Sequence, residues 1–348
     1  MSYKSSLFCL KFSLLAISLL FLQGTFAQTN FKEIDKFIQE KQPLLGKDIV
    51  AMIWKDTLLY KKETGDFKSR TQAPIASSSK WLTAALVMTF IDEGKLSLDD
   101  KVSKYLPIYA KYGKGFITIR HCLSHMTGIQ SEPIKLLKLL ERQKYKTLED
   151  EVNDFAKKEI QNNPGLEFSY SNIGLNIAGR VLEVISRKKF DQLIQQRLFR
   201  LIGMRSTTFS NFESSVNPSG GAKSTAEDYM KFLVMLLNKG MHNGVRILSE
   251  ESVKQLASVQ TKPDQIKYSP KSATGFNYAL GSWVVEQDNK GFTTVLSSPG
   301  LFGTWPMIDF CRGYAYLFFV KNLLGEERAE THIEIKKLID QQFVSTCK

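Results

Sequence analysis

Apolar positions recur with helical spacing, then strand spacing, then helical, then strand again. FKEIDKFIQEKQ sets Phe31, Ile34, Phe37 and Ile38 on one helical stripe. DIVAMIW and TLLYKKET are short β-prone runs parted by Lys55-Asp56, which predicts a hairpin. In SSSKWLTAALVMTFIDEGKL nearly every residue from Trp81 to Ile91 is apolar or small. That helix is expected to be buried on almost all sides and to end at Gly94. Helical candidates follow in TIRHCLSHM, IKLLKLLERQKY, LEDEVNDFAKKEI, NIGLNIAGRVLEVIS, FDQLIQQRLF and STAEDYMKFLVMLLNKG. The last is predicted to open on a capping box of Ser224 and Glu227 and to close at Gly240. From about residue 276 strand patterns return in YALGSWVVE, FTTVLSS, LFGTWPMID and GYAYLFFVKN, and the amphipathic helix EERAETHIEIKKLIDQQFV follows.

Strands at both ends of a mostly helical chain predict an α+β fold (an α/β-type sandwich). Its antiparallel sheet is built from both chain termini and flanked by helices, with a large, mostly helical lobe inserted between the second and third strands. Within one domain, residues 28–348, the sheet lobe is expected at about 28–80 and 276–348 and the helical lobe at about 81–275. A site is expected in the cleft between the lobes.

The first 27 residues read differently. Lys4 and Lys11 precede the apolar run FSLLAISLLFLQ, and Thr25 and Ala27 are small residues suited to signal cleavage after Ala27. The expectation is an exported protein, periplasmic or secreted, with no stable membrane span after cleavage; a retained N-terminal anchor is the alternative. Loss of Lys4 and Lys11 would take the formal charge from +12 to +10. The remaining basicity is dispersed, which argues against nucleic acid as a partner. Cys122, Cys311 and Cys347 remain, an odd number that makes no disulfide framework. Cys122 reads as a buried small hydrophobe, and spacing alone leaves a Cys311–Cys347 bond open.

The chemistry is sought first at Ser77 and Lys80. Serine and lysine three apart share a helix face, and a lysine buried at a helix start loses hydration and favours its neutral form. A neutral amine can take the serine proton. The same spacing at Ser186–Lys189 falls at a solvated helix end among Arg187, Lys188 and Lys189. A structural helix cap remains the alternative for Ser77 taken alone. Tyr170 and Asn172 add a second element on a loop after the turn Pro164-Gly165. A loop phenol can shuttle a proton if a nearby cation lowers its pKa, and the amide can orient substrate or bond the lysine. A buried tyrosine with a helix-capping asparagine is the other reading.

IASSSKWLTAALVMTFIDEGKLSLDDKVSKYLP, ITIRHCLSHMTGI, PGLEFSYSNIGLNIAGRVLE and GGAKSTAEDYMKFL together resemble the serine β-lactamase-like superfamily, in particular its class C β-lactamase, D-alanyl-D-alanine carboxypeptidase and related esterase branch. The resemblance runs from about residue 33 to 335. It implies a β-lactamase/transpeptidase-like fold, Ser77 as nucleophile, Lys80 as its base partner, Tyr170 as the cooperating phenol and Asn172 as the supporting amide. The family's third element, Lys or His followed by any residue and Gly, falls on Ser298, Pro299 and Gly300. Serine in place of the cation weakens recognition of a substrate carboxylate. Gly300 permits close backbone approach, and the Leu301 and Ser77 N–H groups are implied as the oxyanion hole.

His121 and His125, four apart on an expected helix, lack the glutamate of a metalloprotease pair, and no metal is expected. IKLLKLLERQKYK reads as a solvated basic helix over the cleft, and Gly220-Gly221 lacks the context of a phosphate loop. The expectation is a serine hydrolase without metal or organic cofactor, acting on a small ester, amide or peptide. A cell-wall D-alanyl peptidase or weak β-lactamase is the alternative, as is an inactive binding protein of the same fold.

Overall fold

The computed structural model describes residues 31–131, 145–209, 215–320 and 329–347. The signal-like residues 1–27 and most of IKLLKLLERQKYK lie outside these. Helices named below are α1 (Lys32–Glu40), α2 (Ser79–Asp92), α3 (Ile119–Leu123), α4 (Leu148–Lys157), α5 (Ile173–Ser186), α6 (Ala226–Leu237) and α7 (Ala329–Asp340).

The central sheet has seven antiparallel strands: β1 (Ile49–Lys55), β2 (Thr57–Thr64), β3 (Asn277–Tyr278), β4 (Trp283–Gln287), β5 (Thr293–Ser297), β6 (Trp305–Asp309) and β7 (Tyr314–Val320). Their order is β2-β1-β7-β6-β5-β4-β3, so the hairpin near the N-terminus completes a sheet otherwise drawn from residues 277–320. β1 pairs with β7 from Ile49 opposite Val320 to Trp54 opposite Ala315.

Every residue of β7 is buried, because the sheet is covered on both faces. Ala315, Leu317 and Phe319 join the core containing Trp81, Leu82, Ile177 and Phe232 of the helical region. Tyr314, Tyr316, Phe318 and Val320 face the opposite way, into the cluster of Ile34 and Ile38 from α1 and Ile335 and Ile339 from α7. This is the period-two alternation of a pleated strand, with both faces apolar.

α2 carries the expected all-round burial, with Ser79 to Phe90 all buried. Gly94 follows at φ 67, a conformation that suits glycine after a helix.

Three local expectations change, and one point left open is settled. YALGSWVVE is not one strand, because Gly281 turns it at φ 80 between β3 and β4. A Cβ there would stand 2.6 Å from Ala84 Cβ and 2.9 Å from the Lys80 carbonyl oxygen, so the turn seats the sheet edge on α2. α6 is capped by Thr225, whose hydroxyl accepts from the Asp228 N–H, one residue beyond the expected Ser224/Glu227 pair. Both expected capping groups are engaged elsewhere, Ser224 with Thr207 and Glu227 with Ser69 and Arg70. The stretch around His121 is helical only over Ile119–Leu123. Finally, Cys311 and Cys347 are joined by a disulfide, while Cys122 is free and buried.

Candidate active site

Ser77 lies in a single 3-10 turn, Ala76–Ser78, directly ahead of α2. Ala76 sits at φ 44, where a side chain is strained and the surroundings must hold the backbone. They do so densely. The Ile75 N–H donates to the Ala222 carbonyl at 3.0 Å, and Tyr229 Oη donates to the Ser78 carbonyl at 2.8 Å. Ser78 Oγ donates to the Ser298 carbonyl at 2.7 Å, and Ser79 Oγ accepts from the Ala222 N–H at 3.0 Å. Each of these two serines fastens the turn to a distant segment. No side chain of this turn caps a helix.

Lys80, on the first turn of α2, is wholly buried. Its Nζ lies 3.1 Å from Ser77 Oγ, 3.2 Å from Asn172 Oδ1 and 2.9 Å from the Ser219 carbonyl oxygen. Two of these partners are pure acceptors and the third is a hydroxyl. A neutral amine therefore spends its two N–H bonds on Asn172 and Ser219 and turns its lone pair to the Ser77 proton. Burial, with no carboxylate partner to oppose it, brings the Lys80 pKa down to about 7. The Ser219 carbonyl is itself held in place, since the Ser219 N–H donates to Asn176 Oδ1 at 3.0 Å and Asn176 Nδ2 to Glu151 Oε2 at 3.2 Å.

Asn172 occupies the N-terminal position of α5, yet its side chain makes no cap and goes to Lys80 instead. Tyr170 precedes it on the loop, with Lys80 Nζ 4.8 Å from its ring centre. Burial, not the nearby cation, governs the pKa of the phenol. Tyr170 is buried, and the loss of hydration drives its pKa up, against a smaller downward pull from hydrogen bonding with Ser77. The phenol is held protonated.

The third element closes the other side. Ser298 is buried, and its Oγ lies 3.4 Å from each of the Ser77 and Gly281 carbonyl oxygens, so its hydroxyl addresses the backbone. Gly300 packs on the strained turn: a Cβ there would meet the Ile75 carbonyl oxygen at 2.2 Å. Close approach at this glycine is thus to the protein's own chain. Among the described residues neither the Ser77 N–H nor the Leu301 N–H has an acceptor.

The two histidines part company. His121 completes a capping box with Thr118 at the start of α3, its Nδ1 accepting from the Thr118 N–H at 3.2 Å. His125 lies past the helix end at φ 57, its ring 4.6 Å from that of Tyr170. It belongs to a buried aromatic cluster with Phe168, Tyr278 and Trp283 that sequence reading did not assemble. Ser219 and Asn176 were also missed, because their roles run through a main-chain carbonyl and a contact between segments far apart in sequence.

A family model described as Beta-lactamase matches residues 49–340. Protein Rv1367c of Mycobacterium tuberculosis is 25% identical over 344 residues, spanning 78% of this chain and 85% of its own. A solved protein of Bacteroides dorei DSM 17855, classed with the beta-lactamases, superposes with a TM-score of 0.79 at 26% identity, covering 90% of this chain and 98% of its own. EstCE1, a hydrolase with promiscuous acyltransferase activity, shares the fold at a TM-score of 0.74 and 18% identity, over 88% of this chain and 97% of its own.

Proposed function

The chain belongs to the beta-lactamase family, a family of serine hydrolases, and from that premise we propose that it is an exported serine hydrolase of small esters or amides working through an acyl-enzyme on Ser77. The observation that carries the reading is the set of partners around Lys80, two fixed acceptors and the Ser77 hydroxyl, so that the neutral amine turns its lone pair to Ser77.

Lys80 takes the Ser77 proton as Oγ bonds to the substrate carbonyl carbon. The carbonyl oxygen becomes an oxyanion between the Ser77 and Leu301 N–H groups. Collapse breaks the bond to the leaving group, whose oxygen or nitrogen takes a proton from Tyr170, and the Lys80 proton restores the phenol. Burial keeps Tyr170 protonated, so it enters the cycle as a donor. Water then adds to the acyl group, releasing the acid and regenerating Ser77.

Substrate preference follows from Ser298. An uncharged hydroxyl directed at backbone carbonyls offers a substrate carboxylate no cation, which disfavours β-lactams and D-alanyl peptides relative to neutral esters. Export is supported by the Cys311–Cys347 disulfide, a bond suited to an oxidising compartment, together with the signal-like residues 1–27.

The test is intact-mass labelling with a fluorophosphonate and with penicillin, beside turnover of a nitrophenyl ester, in wild type and Ser77→Ala. Ester turnover and a single phosphonate adduct, both lost in Ser77→Ala, are expected. A lasting penicillin adduct without ester turnover would favour the D-alanyl peptidase reading. Unlabelled wild type would favour an inactive binding protein.

A further inference from the structure

Three successive backbone N–H groups carry the Tyr170 loop, and two of them end on one residue. The Ser169 N–H donates to the His125 carbonyl oxygen at 3.0 Å, and the Ser171 N–H donates to His125 Nδ1 at 3.4 Å. The Tyr170 N–H between them goes to the Tyr268 carbonyl at 3.1 Å. The imidazole of His125 lies against the Tyr170 ring, with centroids 4.6 Å apart, and its Nε2 is 3.1 Å from Tyr278 Oη.

These contacts fix the tautomer. Nδ1 accepts a backbone N–H and so carries no proton, which leaves Nε2–H to donate to Tyr278 Oη. The ring is buried and neutral, with Lys80 near enough to oppose an imidazolium. His125 also stands in the left-handed region at φ 57, where a β-carbon is uncommon and the fold must hold it. That conformation brings carbonyl and ring to the same loop.

We propose that His125 positions Tyr170 for the chemistry at Ser77, an inference that rests on the hydrolase reading above. Its carbonyl and Nδ1 hold the residues on either side of Tyr170, and its ring backs the phenol. His125 touches neither Ser77 nor Lys80 through a hydrogen bond, so it acts through Tyr170 and is a positioning residue.

Two substitutions separate positioning from general support of the fold. His125→Gly deletes the ring while relaxing the backbone at φ 57 and keeping the carbonyl that binds Ser169. His125→Asn tolerates the same φ and offers Oδ1 near the place of Nδ1. Both are made in wild type and in Tyr170→Phe, and kcat and KM for a nitrophenyl ester are measured.

His125→Gly is expected to lower kcat about 30-fold with KM little changed, and His125→Asn to stay within about fivefold of wild type. In Tyr170→Phe, where no phenol remains to be aimed, His125→Gly is expected to cost less than about threefold. An equal loss in both backgrounds, or a His125→Asn variant no better than His125→Gly, would overturn the inference and leave the hydrolase reading intact. Equal turnover by wild type and Ser77→Ala would overturn both.

Discussion

Lys80 Nζ stands 3.1 Å from Ser77 Oγ with no carboxylate among its partners. Burial alone sets its protonation, at a pKa of about 7. The rate of Ser77 labelling by a phosphonate should therefore climb about tenfold per unit below that pKa and flatten above it. A stopped-flow or gel-based pH series from 5 to 9 checks this; a flat profile across pH 7 would remove Lys80 as base.

The same burial costs stability. The unfolded lysine titrates near 10.5 and the folded one near 7, so between those values the unfolded chain binds the extra proton. Stability from this group is lowest below pH 7 and recovers as pH rises toward 10.5. Lys80→Met should raise the melting temperature at pH 6 by a few degrees while abolishing labelling, the trade of stability for activity common at reactive sites. Melting scans at pH 6 and pH 9 should show the gain shrinking at the higher pH.

Gly300→Ala should damage the site from outside it. The added methyl would overlap the Ile75 carbonyl oxygen, a backbone atom that cannot swing aside. A loss of about 2 kcal/mol or more in stability is expected from the forced shift. Because Leu301 is the next residue, kcat should fall by about 100-fold through displacement of its N–H. Urea denaturation and ester kinetics on one preparation measure both.

Cys347→Ser should separate fold from chemistry in the opposite sense. The disulfide closes a 36-residue span, so its loss should cost about 4 kcal/mol. Activity per folded molecule at 25 °C should stay at the wild-type level, since the bond anchors the chain end against Cys311 and touches none of the residues around Ser77.

Much of this was legible in sequence because the signals were strong and local. The apolar run from Trp81 to Ile91 suited a helix buried on nearly all sides, and the short β-prone runs after residue 276 suited strands. The register of Ser77 and Lys80 followed from that helix. What escaped depended on chain segments far apart. Nothing in ASSSK announces a left-handed alanine, whose conformation is imposed by Ala222, Tyr229 and Ser298. Helical periodicity ran on through His125, while its left-handed backbone serves the Tyr170 loop. The phenol's raised pKa reflects burial, a property of the assembled fold that sequence alone does not give.

The bond from Ser78 Oγ to the Ser298 carbonyl joins residues 220 positions apart, and Gly300 rests on the same turn. A growing chain acquires these partners only after the whole helical region has been made. Ser77 is thus made early and armed late, and a polypeptide cut short before residue 298 would carry the nucleophile without the clamp that shapes it. Reactivity at Ser77 thus depends on a clamp supplied 220 positions further along the chain.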